Sequence, residues 1–167
     1  MASTEPRVTD SWTAYQECTR AVRRFLDETR VKDGEVWIGD VCVGTPDCPS
    51  VRAPLRADSA ALVHDALGRA EALVAAVMES LRRSVEVSRH AMDELKGRGA
   101  VDSADMAAVV ARTESVEQLL AELTRAATLA PRPYHPAVLT RWRQVLEPSL
   151  IPGDPAVPVK VVTVYVL

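Results

Sequence analysis

At 167 residues, with 47% hydrophobic and 26% charged side chains, the chain has the size and make-up of one soluble globular domain, which excludes a disordered tail protein and a fibrous repeat. Its net charge of -3 argues against a main task of gripping phosphate backbones, and charges interrupt every apolar stretch before the roughly 18 residues of a membrane span. Three irregularly spaced cysteines and an N-terminus without a charged-then-apolar leader pattern predict reduced thiols in a cytoplasmic protein.

Only 4% of the residues are aromatic, so the core must be packed from Ala, Val and Leu, whose small side chains suit close helix-to-helix approach. After an N-terminal arm, residues 1–9, a first helix is predicted over 10–31. Thr9 and Asp10 can cap it, and Trp12, Tyr15, Cys18, Val22 and Leu26 recur at steps of three or four. The run "KDG" at 32–34 is read as its stop. In "EVWIGDVCVG", residues 35–44, two β-rich triplets flank Gly39 and Asp40, and a Gly-first two-residue turn predicts a tight hairpin. A single strand bulged at Gly39 stays open as the alternative. Three prolines in "TPDCPSVRAP", residues 45–54, predict a crossing loop.

The longest helical pattern runs over 58–96, with Asp58 as its cap and Gly97 and Gly99 past its end, a rod of roughly 58 Å. Val63, Leu67, Ala70, Val74, Val77, Leu81, Val85, Met92 and Leu95 form its apolar stripe. Asp102 or Ser103 can cap a third helix over 103–130, faced by Met106, Val109, Val116, Leu120, Leu123 and Ala127. The short glycine linker folds it back antiparallel as a helical hairpin. A fourth helix over 136–147 starts on Pro136 and turns Val138, Leu139, Trp142, Val145 and Leu146 inward, with Pro148 closing it. Trp142 is read as a core anchor, although Arg132, Arg141, Arg143 and Tyr134 around it could also serve single-stranded nucleic acid.

The last predicted element is a strand over 159–167. Val159, Val161, Thr163, Tyr165 and Leu167 point one way, and Lys160, Val162, Val164 and Val166 the other, so both faces are largely apolar and need cover. It is expected to pair outside one arm of the hairpin and to leave its other edge for a second chain. Val159, Val161, Val162, Val164, Tyr165, Val166 and Leu167 are the expected interface residues. The whole is predicted as one predominantly helical α+β domain, a helical hairpin with two further helices and a small sheet.

Chemistry is sparsely signalled. In "RRSVEVSRH", residues 82–90, Arg83 and His90 lie two helical turns apart on one face. This pair resembles that of the HEPN ribonucleases, in which the residue after the arginine is often Asn, Asp or His and here is Ser84. The resemblance implies RNA cleavage by a composite site at a dimer interface, with Arg83 and His90 as the catalytic candidates. The plainer reading is a charge ladder of Glu79 with Arg83, Arg82 with Glu86 and Arg89 with Asp93. Cys42 and Cys48, joined by His64 or His135, are the only metal candidates, at a spacing wider than a zinc knuckle. No glycine-rich phosphate loop, nucleophile elbow or paired-cysteine motif occurs, so no cofactor is expected.

The resulting expectation is a non-enzymatic protein-protein interaction or assembly subunit, a homo-oligomer or the partner of another protein, acting through the helical hairpin and the C-terminal strand. The alternatives are a HEPN-like ribonuclease or small hydrolase, and a small-ligand regulatory module with a pocket lined by Trp12, Tyr15 and Trp37.

Overall fold

A computed structural model of the chain describes residues 4–150. The element order is α1 (Thr4–Glu28), β1 (Thr29–Lys32), β2 (Glu35–Ile38), β3 (Val41–Thr45), β4 (Cys48–Arg52), α2 (Ser59–Gly97), α3 (Ala104–Ala127) and α4 (Pro136–Leu150). The protein is α+β and predominantly helical.

The first helix begins at Thr4, so residues 4–9 of the expected arm are helical and Thr9 and Asp10 lie within the helix rather than capping it, and it ends at Glu28, three residues before the predicted end. At its end the Thr29 hydroxyl donates to the Phe25 carbonyl at 2.5 Å and Arg143 to the Leu26 carbonyl, which satisfies carbonyls left open as the chain enters β1. Asp33 and Gly34 both have positive φ, 54° and 79°, as a two-residue hairpin turn between β1 and β2 requires. The "KDG" run is therefore a hairpin turn rather than a helix stop. Gly39, at φ 61°, opens the expected second turn between β2 and β3.

Residues 45–54 also differ from the predicted loop, because Cys48–Arg52 pairs with β3 despite Pro49. Proline is tolerated there because β4 is an edge of the sheet, where a missing N–H need not break a ladder. The result is an antiparallel meander in the order β1-β2-β3-β4. Both arms of the β2–β3 hairpin thus have a neighbour on their outer side, which corrects the expectation that a C-terminal strand lies beside one of them. The predicted strand over 159–167 lies outside the described residues, and so do its seven expected interface residues.

One sheet face is apolar and one is not. Val36, Ile38, Val41 and Val43 are buried toward the helices, joined by Phe25 of α1, Ala66, Ala70 and Val77 of α2, and Val138, Leu139, Trp142 and Leu146 of α4. Trp142 packs its ring at 5.6 Å from that of Phe25 and donates its indole N–H to the Leu123 carbonyl at 3.1 Å. It is the core anchor its inward position predicted. Neighbouring Arg143 is drawn inward too, donating to the carbonyls of Leu26, at 2.7 Å, and Thr29, where α1 gives way to β1. Pro148 sits inside α4 and does not close it.

Above this core the helices α1, α2 and α3 run alongside one another. Ser11 meets Ser88 at 2.8 Å, the Cys18 thiol donates to the Ser80 carbonyl at 3.1 Å, and Arg69 pairs with Glu28, which makes α1 antiparallel to α2. The return to α3 is tight: Gly99 takes φ 75°, the Ala100 N–H reaches back to the Leu95 carbonyl at 2.8 Å, and Ser103 accepts from the Met106 N–H at 3.1 Å. Of the two predicted caps, Ser103 is the one used. Asp58 does not cap α2; its carboxylate pairs with Arg56 at 3.2 Å, while the Ser59 hydroxyl accepts from the Arg56 N–H. A second small core of Ala91, Leu95, Met106 and Val109 closes the far end of the helical hairpin.

Candidate interaction surfaces on the helical hairpin and the sheet

Three of the concave surfaces among the described residues lie where these elements splay apart. The first lies between α1 and α3 over Leu81 of α2, a groove of about 370 Å3 whose walls include Tyr15, Cys18, Thr19, Val116 and Glu122. Burial pushes the Tyr15 hydroxyl up from its ordinary value of 10.0, and the neighbouring Cys18 adds to that rise, with Arg112 opposing it. Burial likewise pushes the Cys18 thiol up from 9.0 against the lowering effect of Ser80 and Ser84. Raised values mean that both groups stay neutral in the folded state at pH values where the unfolded chain would ionise them. Their contribution is thus complete below the unfolded values and is lost as pH rises through and beyond them. Urea midpoints are expected to hold up to about pH 8.5 and then fall, more steeply in the parent than in Tyr15→Phe or Cys18→Ala. Identical slopes in all three proteins would remove this groove as the cause.

The second surface runs along the seam of the helical hairpin. Arg82, Val85 and Arg89 of α2 and Glu117, Leu120, Ala121 and Arg125 of α3 border a furrow of about 690 Å3. At 100° per residue, Leu120, Ala121 and Thr124 fall on the opposite side of α3 from Ser115, Leu119 and Glu122, which border the groove with α1. Val85 is buried in the floor and Leu120 half-buried beside it. Arg89 reaches across to Glu117 at 2.5 Å, instead of forming the predicted ladder pair with Asp93. Arg82 and Arg125 line the rim, and neither has an acidic partner among the described residues.

Arg83 and His90 are both exposed on α2, and Arg83 borders a cleft of about 500 Å3 with Glu79, Arg82, Glu86 and Val87. Neither is held by another described side chain, so a composite site would need its remaining groups from a second chain. Among the described residues no three of His, Cys, Asp and Glu gather at metal-binding distance. Cys42 is buried in the sheet and Cys48 exposed at the outer edge, while His135 accepts from the Ala137 N–H through Nδ1.

The third surface is the outward face of the sheet. Register places Arg30, Trp37, Cys42 and Arg52 side by side across all four strands. Arg52 is bonded to Glu35, donates to the Cys42 sulfur at 3.1 Å, and lies over the Trp37 ring at 6.0 Å. The three aromatics grouped at the outset are not gathered: Trp12 and Tyr15 stack on each other at 5.9 Å in α1, and Trp37 borders a separate cleft. The wide row on the sheet was legible only in part, because β1 and β4 were missing from the predicted sheet.

Comparison of the chain with family models, with curated proteins and with solved structures finds no match. Among the described residues no helix is long and apolar enough to cross a membrane. The fold and surfaces define a helical-hairpin α+β protein with a basic furrow and a cation-lined sheet.

Proposed function

We propose that this protein is a non-enzymatic interaction subunit whose helical hairpin receives an acidic amphipathic helix of a partner protein in the furrow between α2 and α3. The observation that carries the reading is the combination of an apolar floor, Val85 with Leu120, and a rim on which Arg82 and Arg125 lack acidic partners. An amphipathic helix lays apolar side chains spaced three and four apart into such a seam, and acidic residues on its flanks meet the rim arginines. A second copy bound face to face would set arginine against arginine, which like-charge repulsion disfavours. The expected part of residues 159–167 in assembly belongs to the same proposal and rests on their two-sided apolar alternation.

The probe is a synthetic amphipathic helix with leucine on one stripe and glutamate on its flanks, against a control with lysine for glutamate. Fluorescence anisotropy on the full chain is expected to give micromolar binding of the acidic peptide, weakening as salt rises from about 0.05 to about 0.5 M. Arg82→Glu with Arg125→Glu should weaken it at least about tenfold. Both positions are exposed, so the fold should survive the change. Equal binding of the lysine peptide, or binding indifferent to both substitutions, would overturn the proposal.

A further inference from the structure

The cleft beside Trp37 has about 540 Å3 of space, within the range of small-molecule sites, and lies along β1 and the turn between β2 and β3. Its border combines an aromatic wall, Trp37, two apolar groups, Val31 and Pro54, and two cations, Arg30 and Lys32, with the Asp40 carboxylate and Gly39 at the turn end. Arg30 is anchored by a bond of 3.2 Å to the Gly39 carbonyl, which fixes its guanidinium at the mouth. It has no acidic partner among the described residues, and neither does Lys32.

The Trp37 indole N–H is buried without an acceptor. Buried donors are nearly always satisfied, so this indole stands out among the described residues. Arg52 does not border the cleft, so its guanidinium over the ring holds the indole in place without occupying the site. Its own charge is neutralised by Glu35.

From these features we infer that the outward face of the sheet binds a small organic anion with a flat apolar body and a carboxylate. The body lies between Trp37 and Pro54, and the carboxylate meets Arg30 and Lys32. A carboxylate on an arginine gains charge-assisted hydrogen bonds that a neutral amide of the same shape does not. This site is separate from the furrow and does not depend on a partner docking there.

Isothermal titration of the full chain with benzoate, benzamide and pentanoate tests the assignment. Benzoate is expected to bind in the millimolar range or tighter, and benzamide and pentanoate about tenfold more weakly, one lacking the charge and the other the flat ring. Arg30→Ala and Lys32→Ala should each weaken benzoate several-fold, and Trp37→Leu should abolish the preference for benzoate over pentanoate. Lys32 is exposed on an edge strand, so its variant tests the site even if Trp37→Leu disturbs the sheet. No heat from benzoate up to about 10 mM, equal binding of benzamide, or binding unchanged in Lys32→Ala and Arg30→Ala would each overturn it.

Discussion

Trp142→Ala is expected to destabilise the protein by about 3–5 kcal/mol, the largest loss from any single truncation among the described residues. Trp142 is fully buried where three layers meet: Phe25 of α1 against its ring, Leu123 of α3 under its N–H, and Val36 and Ile38 of the sheet in the same core. Removing the ring opens a cavity that Phe25, Ile38 and Leu123, each held in its own element, refill only in part. It also leaves the Leu123 carbonyl without its side-chain donor. Thermal midpoints should fall by roughly 10 °C, at about 2–4 °C per kcal/mol for a chain of this size. Trp142→Phe keeps a ring against Phe25 and loses only the indole bond and some volume, so it should cost about 1–2 kcal/mol. Urea denaturation of the two variants checks both numbers, and a loss below about 1 kcal/mol for the alanine would mean that α4 does not anchor the core.

That anchor was legible because a helix announces its inner face by spacing. Val138, Leu139, Trp142 and Leu146 recur at steps of one, three and four, and all four are buried. The long helix was legible as an element but less so as a face. Val63, Leu67 and Val74 of the predicted stripe are only half-buried, whereas Ala66, Ser84, Ser88 and Ala91 are buried. The stripe leans toward α1, and the small residues permit close approach there, with Ser88 bonded to Ser11. Side-chain hydrophobicity does not report such a contact, because small polar residues that satisfy each other look like surface.

The sheet was half legible for a different reason. β2 and β3 carry β-branched residues whose side chains enter the core, while β1 offers Arg30 and Lys32 and β4 offers Pro49, Ser50 and Arg52, the residues that guard edges. Edge strands hide their pattern by design. The available signal was the Asp33-Gly34 pair, a strong two-residue turn sequence between two short β-compatible runs. The furrow was out of reach because it needs the relative rotation of α2 and α3, and the Trp37 cleft, although built within residues 30–54, because β1 was read as the end of a helix.

Gly44→Ala should be the most disruptive change outside the core, although it adds a single methyl group. Gly44 has φ 97°, in the region that favours glycine, and a β-carbon there would run into the Cys48 carbonyl oxygen, come within 2.5 Å of the Ser50 nitrogen and 3.0 Å of the Pro49 α-carbon. All three are backbone atoms of β4, so relief requires the strand to move. The register of β3 against β4 already shifts between Cys42 and Gly44, which leaves no ladder slack to absorb the displacement. Backbone strain and overpacking together put the loss at about 3 kcal/mol. It should be local in character: amide exchange should accelerate in β4 while the helices keep theirs, and the Arg52 contacts to Cys42, Glu35 and Trp37 should be lost with the strand. Gly68→Ala provides the opposite sign in the same molecule. That glycine lies inside α2 with open space where a β-carbon would go, so the substitution should stabilise by about 0.5–1 kcal/mol. Urea midpoints moving in the same direction for both variants would mean that the corner at Gly44 is not as crowded as described.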